Sequence, residues 1–588
     1  MKKYLFFALA LLGMASCAKD DLGNGNKPNH NGEVEESYIA INLMAADSDT
    51  RATDGGYEYG TEAEREVKTA YFFFFDENGE PFNVVNAPAT APGGAKNHLA
   101  LDITPMTDGT TTNVSDISKA VLILNTYEGI YPKQIVAVLN WVPQNNTYSL
   151  KELHNNLTAL VGVDAAAGGF VMSNSVYKDT SGNLVDSVAL TEGNIKKTAS
   201  EATNSPIDIY VERIAAKVVL TAGGKAESNT HPNVFNTQKT PDMFVGSGEL
   251  ATTPVFVQLL GWELYNDYNN SYLLKNIDKT WTEGIGFNWN DSNFFRSYWA
   301  ISQNVDINDT FTWSYTTPAT KGFATEYGFA VATKDGEGNI VDDTSTYTYC
   351  GENTNQVVLN GEGKVTSDLR TKVILKGQLL QSDGNGGHKE LELASWYGNE
   401  YAGTQNLLTA VANSLAYTLY HSDDQTNFHP ITAADIVCDI NIAGTKSYET
   451  GFKLSVAGEG KTWYKYSSDG NHQPFNLSDS ADNIAKTNAY LAANVKPAII
   501  YVDGMTYYYV DVEHLGAKGS DTQYGVVRNH VYQIDINSIK GYGSPIYSGE
   551  DFTVDNPEYP EEIEDTYVAA RINVLSWKVV KQTVDIVQ

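Results

Sequence analysis

Apolar and polar residues alternate along much of the chain, and this alternation predicts β-strands. In segment 38–44, Ile39, Ile41 and Leu43 fall on one face, which is the pattern of a half-buried strand. Further strand signals lie at 71–75, 134–142, 206–220, 255–265, 372–380 and 499–510, the last with a bend at 503–504. Most of the regular structure is therefore expected to be β.

A few segments carry helix signals instead. A capping box opens a short helix at Ser149, and 478–491 has weak helical periodicity through Ile484 and Leu491. A clearer apolar stripe runs through 404–419 and consists of Leu408, Val411, Leu415 and Leu419. Strands with a few inserted helices indicate β-sandwich domains with helical elaborations.

The Gly- and Asn-rich segment 221–240 resembles a boundary between two β domains. We therefore expect an N-terminal β-sandwich domain at 52–225 and a C-terminal one at 226–555. Two domains suit a chain of 588 residues, since all-β domains reach about 250 residues.

The first 17 residues have the pattern of a secretory signal. Lys2 and Lys3 precede a short apolar run at 4–12, and small residues lead to Cys17. A Cys in this place resembles the bacterial lipobox, in which the thiol is lipidated; the alternative is an ordinary signal peptide with an incidental Cys. The polar segment 18–37 then reads as a flexible tether.

Arg51 is a lone basic residue in the small, polar segment 47–56, which follows the first predicted strand. Exposed loops of this composition are the sites where proteases cut most readily. Arg51 is therefore a candidate processing site, and the alternative is an incidental loop arginine.

The end of the chain is strongly β-forming. An acidic segment with two prolines, 556–565, precedes the tail at 567–588. The tail alternates in two parts separated by a break at 575–577, and its candidate inward-facing residues are Val568, Ile572, Val574, Val580, Val584 and Ile586. The alternatives are a bulge within one long strand and a tail that folds back onto its own domain.

Charge and apolar content exclude some classes of function. The chain has 40 Lys and Arg against 72 Asp and Glu, a formal charge of −32. Nucleic-acid binding is not expected, because phosphate contacts need Lys and Arg. No apolar run after Leu12 is long enough for a transmembrane helix.

We find no motif for catalysis, a cofactor or a metal, and we expect none of the three. His421 and His429 lie in a Pro- and Asn-containing segment that reads as a surface loop. The Gly-rich segments 335–338 and 383–387 lack the ligand pattern of an EF-hand and read as hairpin turns. The aromatic run 71–75 is either a core strand, which we favour, or a sugar platform. Cys350 and Cys438 form either a disulfide or two free thiols.

Five segments resemble the fimbrillins of Bacteroidetes-type bacteria, and they resemble most the major (stalk) subunit of the short fimbriae, which are type V pili. The segments are 170–174, 210–218, 295–300, 349–354 and 527–532. The resemblance implies two tandem transthyretin-like β-sandwich domains with a few helical insertions, plus a C-terminal donor strand.

The resemblance also implies a processing pathway. Such subunits reach the outer membrane as lipoproteins, here through Cys17, and an Arg-specific protease then removes the propeptide. Arg51 matches the cleavage position, so 18–51 is the expected propeptide and Ala52 the new N-terminus. The cut releases the strand of Ile39, Ile41 and Leu43. The tail of a neighbouring subunit then fills the open edge as a donor strand.

On this resemblance the chain is expected to be a structural subunit that polymerises head to tail and supports adhesion, biofilm formation and colonisation. Its expected partners are further copies of itself, accessory anchor and tip subunits, an Arg-specific protease, and host glycoproteins or other bacteria. The alternative is a fimbrial tip adhesin or another surface lipoprotein that binds a glycan or host protein.

Overall fold

The computed structural model describes residues 34–44, 64, 66–84, 95–102, 120–127, 131–160, 169–179, 181, 183–222, 234–245, 249–268, 270–277, 301–302, 315–316, 347–354, 357–359, 365–439, 442, 449–467, 470–514, 523–545, 568–569 and 578–587. These residues form two compact units. The first contains the described residues up to Arg213 together with Tyr272–Lys275. The second contains Ile214–Ser271 and the described residues from Asn276 onward. The predicted domain boundary at 225/226 stays a prediction.

The first unit is built mainly from strands. They are β1 (Val34–Met44), β2 (Thr69–Phe75), β3 (His98–Asp102), β4 (Ala120–Tyr127), β5 (Gln134–Leu139), β6 (Leu157–Ala159), β7 (Met172–Asn174), β8 (Tyr177–Lys178), β9 (Leu184–Val185), β10 (Val188–Ala189) and β11 (Ile207–Arg213). Seven of them form one sheet in the order β3-β2-β5-β7-β11-β1-β4, with β10 added beside β5.

The aromatic run of β2 lies in the core of the first unit. Phe72, Phe73, Phe74 and Phe75 are each 0% exposed, so β2 is covered on both faces. The ring of Phe73 packs against Trp141 and Tyr148. The core-strand interpretation is therefore confirmed, and these rings do not form an exposed sugar platform.

Within the described residues, the second unit contains more strands than the first. They begin with β12 (Ala216–Ala222), β13 (Val234–Lys239), β14 (Asp242–Phe244), β15 (Leu250–Thr252), β16 (Val255–Tyr265), β17 (Asp267–Tyr268), β18 (Asn270–Tyr272), β19 (Tyr315–Thr316), β20 (Tyr347–Cys350), β21 (Val357–Leu359), β22 (Val365–Asp368), β23 (Lys372–Ser382), β24 (His388–Glu390), β25 (Leu393–Trp396) and β26 (Asn399–Ala402). The last residue of β18, Tyr272, belongs to the first unit.

The remaining strands are β27 (Leu419–His421), β28 (His429–Pro430), β29 (Ile436–Asp439), β30 (Gly451–Leu454), β31 (Trp463–Tyr466), β32 (His472–Pro474), β33 (Ile499–Tyr501), β34 (Met505–Asp511), β35 (His530–Lys540), β36 (Ser544–Pro545), β37 (Val568–Ala569) and β38 (Lys578–Val587). One sheet has the order β20-β12-β35-β38-β37, and another has the order β13-β16-β23-β34-β36. Buried side chains from both sheets meet in one core, among them Val218, Ile534, Val257 and Leu375. A mainly β fold is thus confirmed, while the transthyretin-like arrangement stays a prediction.

The helices are α1 (Leu150–His154), α2 (Ala199–Thr203), α3 (Thr404–Leu415), α4 (Val456–Glu459) and α5 (Ser480–Asn494), with 3₁₀ turns at Glu192–Asn194, Ala433–Asp435 and Val502–Gly504. The capping box of α1 is present, because the Ser149 and Glu152 side chains cap each other's backbone N–H groups. The predicted helix at 404–419 is shorter than expected. It ends at Leu415, and Leu419 is buried in β27 instead.

Among the other sequence predictions, the bend at 503–504 and the turn at 383–387 are confirmed, whereas the single segment at 206–220 and the loop of His421 and His429 are corrected by the structure. Segment 206–220 is two strands, β11 and β12, that belong to different units and are separated by Ile214 and Ala215. The bend at 503–504 is confirmed, with positive φ at both residues. His421 and His429 do not lie in one loop, since they face each other across the β27–β28 pair. Segment 383–387 is the predicted hairpin turn between β23 and β24.

Cys350 and Cys438 are free thiols, which settles the alternative between them. Burial raises the pKa of the Cys438 thiol to about 12, so this group stays protonated. The segments 295–300 and 335–338, the signal sequence with Cys17, the processing site at Arg51 and Ala52, and the acidic segment 556–565 lie outside the described residues.

Candidate strand-exchange site

Strand β1 lies inside its sheet, with a strand on each side. Its second half runs parallel to β11, with Ile41 opposite Ile207 and Leu43 opposite Ile209. Its first part runs antiparallel to β4, with Ile39 opposite Leu122. The backbone of β1 therefore links β4 to the rest of the sheet. If β1 leaves, β4 loses its ladder partner within the described residues, and β11 stays paired with β7 but has one open edge.

The face that β1 shares with its neighbours is apolar and buried. Ile39, Leu124 and Ile209 are each 0% exposed, and Leu122 and Ile207 are 4% and 7% exposed. Ile39 lies opposite the buried Leu122, and positions 41 and 43 lie opposite the buried Ile207 and Ile209. The strand predicted at 38–44 is thus present, and its apolar positions lie opposite buried residues.

The β11 side of this groove is fixed independently of β1. Glu212 on β11 forms an ion pair with Lys275, with 2.9 Å between Oε1 and Nζ, and both side chains are completely buried. Ser175 directs its hydroxyl to the same carboxylate at 3.4 Å. A buried pair of this kind holds its elements in register, because separating the charges leaves each one desolvated.

Lys275 reaches this position through a short segment, Tyr272–Lys275, that belongs to the first unit. The Leu273 N–H donates to the carbonyl of Asn156 at 2.7 Å, and the Ser173 hydroxyl donates to the Leu273 carbonyl at 2.5 Å. Leu273 and Leu274 are both 0% exposed. The segment therefore supports β7 and β11 from a position distant in sequence.

The β4 side differs, because β4 is the edge of the sheet within the described residues and β1 joins it to β11. Helix α2 lies beside both β1 and β4. Removal of β1 would thus leave β11 held by β7 and by the buried Glu212–Lys275 pair. Strand β4 would be left without a strand partner within the described residues.

The C-terminal strand is paired within the second unit. Strand β38 runs parallel to β35, from His530 opposite Lys578 to Lys540 opposite Val587, with a register shift between Ile536 and Ser538. The short strand β37 pairs antiparallel with the end of β38. The described parts of the tail, β37 and β38, therefore fold back onto their own chain, as the alternative interpretation of the tail predicts.

The start of β35 is set by a buried polar network within segment 527–532. Arg528 forms an ion pair with Glu352, with 2.6 Å between Nη2 and Oε2, and the two side chains are 0% and 2% exposed. The Tyr532 hydroxyl accepts the Val527 N–H at 2.8 Å, and burial raises the pKa of this hydroxyl far above its usual range. Asn529, at φ +57°, donates its N–H to the Ala215 carbonyl at 2.7 Å. The motif thus positions the strand on which the tail docks.

The structure brings the predicted site residues together only in part. Ile39, Ile41 and Leu43 share β1, while Val568 lies in β37 and Val580, Val584 and Ile586 lie in β38. Ile572 and Val574 lie outside the described residues, as do Cys17, Arg51 and Ala52. Sequence reasoning did not identify β4, β11 and β35 as the strands that receive β1 and the tail, because strand pairing is nonlocal.

We find no further chemistry within the described ranges that competes with strand pairing. There, no group of three or more His, Cys, Asp and Glu side chains is placed to hold a metal ion. No helix in the described part of the chain has the length and apolar character that a membrane crossing requires.

Comparison with known families identifies the C-terminal region. Residues 499–583 match the family model described as major fimbrial subunit protein type IV, fimbrillin, C-terminal. This range runs from β33 into β38 and includes β35. The resemblance to fimbrillins is thereby confirmed, and the matched family consists of structural fimbrial subunits. A search of curated proteins found no match.

Solved structures with some similarity include two fimbrial proteins and one described as a putative cell adhesion protein. A fimbrilin (FimA) from Porphyromonas gingivalis W83 has 13% identity over 94% of this chain and 97% of its own, with a TM-score of 0.33. The tip fimbrial protein Mfa3 from the same species has 12% identity over 62% and 83%, with a TM-score of 0.25. A putative cell adhesion protein from Parabacteroides distasonis has 14% identity over 58% and 74%, with a TM-score of 0.29. Similarity at this level does not bear on the function of the chain.

Proposed function

We propose that this chain is the structural major subunit of a cell-surface fimbria, and that it polymerises by strand exchange after proteolytic processing. One observation carries the proposal. Strand β1 is an internal strand of its sheet, yet it lies N-terminal to Arg51 in the sequence. A single cut after Arg51 therefore leaves no covalent link between β1 and the unit it completes, and only strand pairing and packing hold it there.

The vacated groove suits a strand from another copy. Loss of β1 exposes the backbone edges of β4 and β11 and the apolar side chains Leu122, Ile207 and Ile209. An unpaired edge with apolar pockets is a site for strand addition, in which main-chain hydrogen bonds give affinity and alternate side chains fill the pockets. The C-terminal tail is the proposed donor, and head-to-tail repetition of this contact yields an open filament.

Signals in the sequence supply the remaining steps. Cys17 is lipidated and delivers the precursor to the outer membrane, and an Arg-specific protease removes residues up to Arg51. The finished subunit begins at Ala52 and joins accessory anchor and tip subunits in a fimbrium that supports adhesion to host glycoproteins or other bacteria.

The Arg51→Ala variant tests the processing step. We expect a folded precursor that retains β1 and does not polymerise, because the groove between β4 and β11 stays occupied. Arg65→Ala is the matched control, since it removes the next arginine in the sequence, and we expect it to polymerise like the wild type. Filaments at wild-type yield from Arg51→Ala, measured by electron microscopy and unheated gels, would contradict the proposal.

Truncation before residue 567 tests the donor step. We expect the shortened chain to be folded and cleaved at Arg51 but monomeric. Mixing it with full-length subunits is expected to shorten filaments, because it accepts a donor strand and offers none. Polymers formed by the truncated chain alone would exclude the tail as donor.

The alternative, a tip adhesin, predicts a different location. Antibody labelling of the fimbriae is expected to decorate their whole length if the chain is the stalk subunit. Label confined to the free end would assign it to the tip instead.

A further inference from the structure

We propose that four tail residues, Ile572-Asn573-Val574-Leu575, are the part of the donor that replaces the β1 residues Ile41-Asn42-Leu43-Met44, in the same direction and register. This inference rests on the proposed strand exchange and names the segment and orientation that it uses. The two sequences share an order of apolar, Asn, apolar, apolar, with Ile and Asn identical. The tail sequence thus repeats the part of β1 that pairs with β11.

The register of β1 defines what a replacement must match. Residues 41 to 44 of β1 lie opposite Ile207, Asp208, Ile209 and Tyr210 of β11, in parallel orientation. Ile207 and Ile209 are buried, so their partner positions favour apolar side chains. Asn42 lies opposite Asp208, and an amide is a donor suited to a carboxylate. In the proposed register Ile572 and Val574 take the apolar positions, and Asn573 lies opposite Asp208.

The second unit contains two parallel strand pairs with the same arrangement, in which a residue with a hydrogen-bond donor lies opposite an aspartate. Strand β35 contains Ile534-Asp535-Ile536, which repeats the Ile-Asp-Ile sequence of β11. On one side β12 runs parallel to it with Thr221 opposite the aspartate, and on the other side β38 runs parallel with Thr583 opposite it. In all three pairings the strands are parallel, and the register places Asn or Thr, residue types with a hydrogen-bond donor, opposite the aspartate.

The competing donor is the segment 582–584 of β38, and the observations favour 572–575 over it. Strand β38 already has a partner, since it is paired with β35 along its length. In the groove it would also place Gln582 opposite the buried Ile207, and burying an amide without a hydrogen-bond partner is unfavourable. Ile572 is apolar, so its side chain has no hydrogen-bonding group that would be left without a partner at this position.

Cysteine pairs in assembled filaments test the register. In a chain with Cys350→Ala and Cys438→Ala, we combine Asp208→Cys with Asn573→Cys and treat filaments with a short thiol cross-linker. We expect covalent ladders that survive boiling and reduction. The matched control combines Asp208→Cys with Thr583→Cys, and we expect at least ten-fold less cross-linked dimer from it.

A second pair tests orientation. Tyr210→Cys with Leu575→Cys should cross-link if the donor runs parallel to β11, whereas Tyr210→Cys with Ile572→Cys should cross-link if it runs antiparallel. Efficient linking by the Ile572 or Thr583 variants, with none by the Asn573 variant, would overturn the proposed register and leave strand exchange intact. If no residue of 567–588, replaced by Cys one at a time, links to a Cys at position 208 or 210 in filaments, strand exchange itself is overturned. Single-cysteine variants that still form filaments show that folding is retained.

Discussion

At the scale of single residues, His98 gives the first unit a pH dependence. Its ring packs on Phe73, and the side chain is only 7% exposed. Burial, assisted by Lys96, lowers the pKa of His98 to about 4 from an ordinary value of 6.5. The unfolded chain therefore binds a proton between these values and the folded chain does not, so stability falls as the pH drops from 6.5 to 4.

We expect His98→Gln to remove this dependence, because its amide does not titrate. The lowered pKa of His98 corresponds to a decrease of at most about 3 kcal/mol in the free energy of unfolding at acid pH. The loss of stability is measured by hydrogen exchange of the β2 and β3 amides at pH 4.5 and pH 7, in the wild type and in the variant. Equal acid sensitivity in the wild type and the variant would contradict the assignment.

Glu400 gives the second unit the opposite dependence. Burial raises its pKa to about 7, although Lys239 acts against the rise. Its Oε2 atom is buried and makes no hydrogen bond within the described residues. The folded state therefore holds a proton that the unfolded chain loses above pH 4.5, and stability falls as the pH rises from 4.5 to 7.

Replacing this carboxyl with an amide, Glu400→Gln, is expected to stabilise the second unit at pH 8 by about 1–3 kcal/mol. At pH 4.5 the two proteins should be nearly equal. Urea unfolding at both values provides the measurement, and a variant less stable than the wild type at pH 8 would show that the carboxylate is compensated.

The buried pair of Arg528 and Glu352 illustrates a different residue-scale effect. Arg528→Met leaves Glu352 charged, buried and without its ion-pair partner, and a loss of about 3–5 kcal/mol is expected. The double variant Arg528→Met/Glu352→Gln is the control, because it removes both charges and should recover much of the loss. Urea unfolding compares them; equal stability of the single variant and the wild type would contradict this account.

At the scale of elements, the central question is whether β1 must leave before the subunit polymerises. Ile39 and Leu122 lie directly opposite each other on antiparallel strands. A disulfide in Ile39→Cys/Leu122→Cys would hold β1 on β4 after cleavage at Arg51. We expect oxidised subunits to be cleaved yet monomeric, and to polymerise once a reductant is added.

The two single-cysteine variants are the controls for this tether, and both should polymerise with or without reductant. If the oxidised double variant assembles at the wild-type rate, displacement of β1 is not required for assembly.

The elements themselves were more predictable than their partners. Alternation of Ile39, Ile41 and Leu43 predicts a strand, and the Ser149 capping box predicts a helix start, because both signals are local. The pairing of β1 with β4 and β11 joins residues more than 70 apart and depends on the whole sheet. Leu419 shows the same limit: its spacing fits the preceding helix, but the core takes it up in a strand.

At the scale of the whole molecule, the two ends of the chain have complementary roles. In the proposed mechanism, β1 stays in the first unit until the chain is cut after Arg51, and the described part of the tail pairs with β35 of the second unit. The sequence predicted a candidate cut and a candidate donor, since both are short linear signals. It did not predict the groove, because the walls come from strands spread over the sequence between 120 and 213 and from the Lys275 side chain.

The most direct test of strand exchange is a cryo-electron microscopy map of native filaments that resolves side chains between β4 and β11. We predict that the strand there belongs to residues 567–588 of the neighbouring subunit, and that each chain begins at Ala52. A strand formed by residues 34–44 of the same chain, joined through Arg51 to the rest of its unit, would contradict the account.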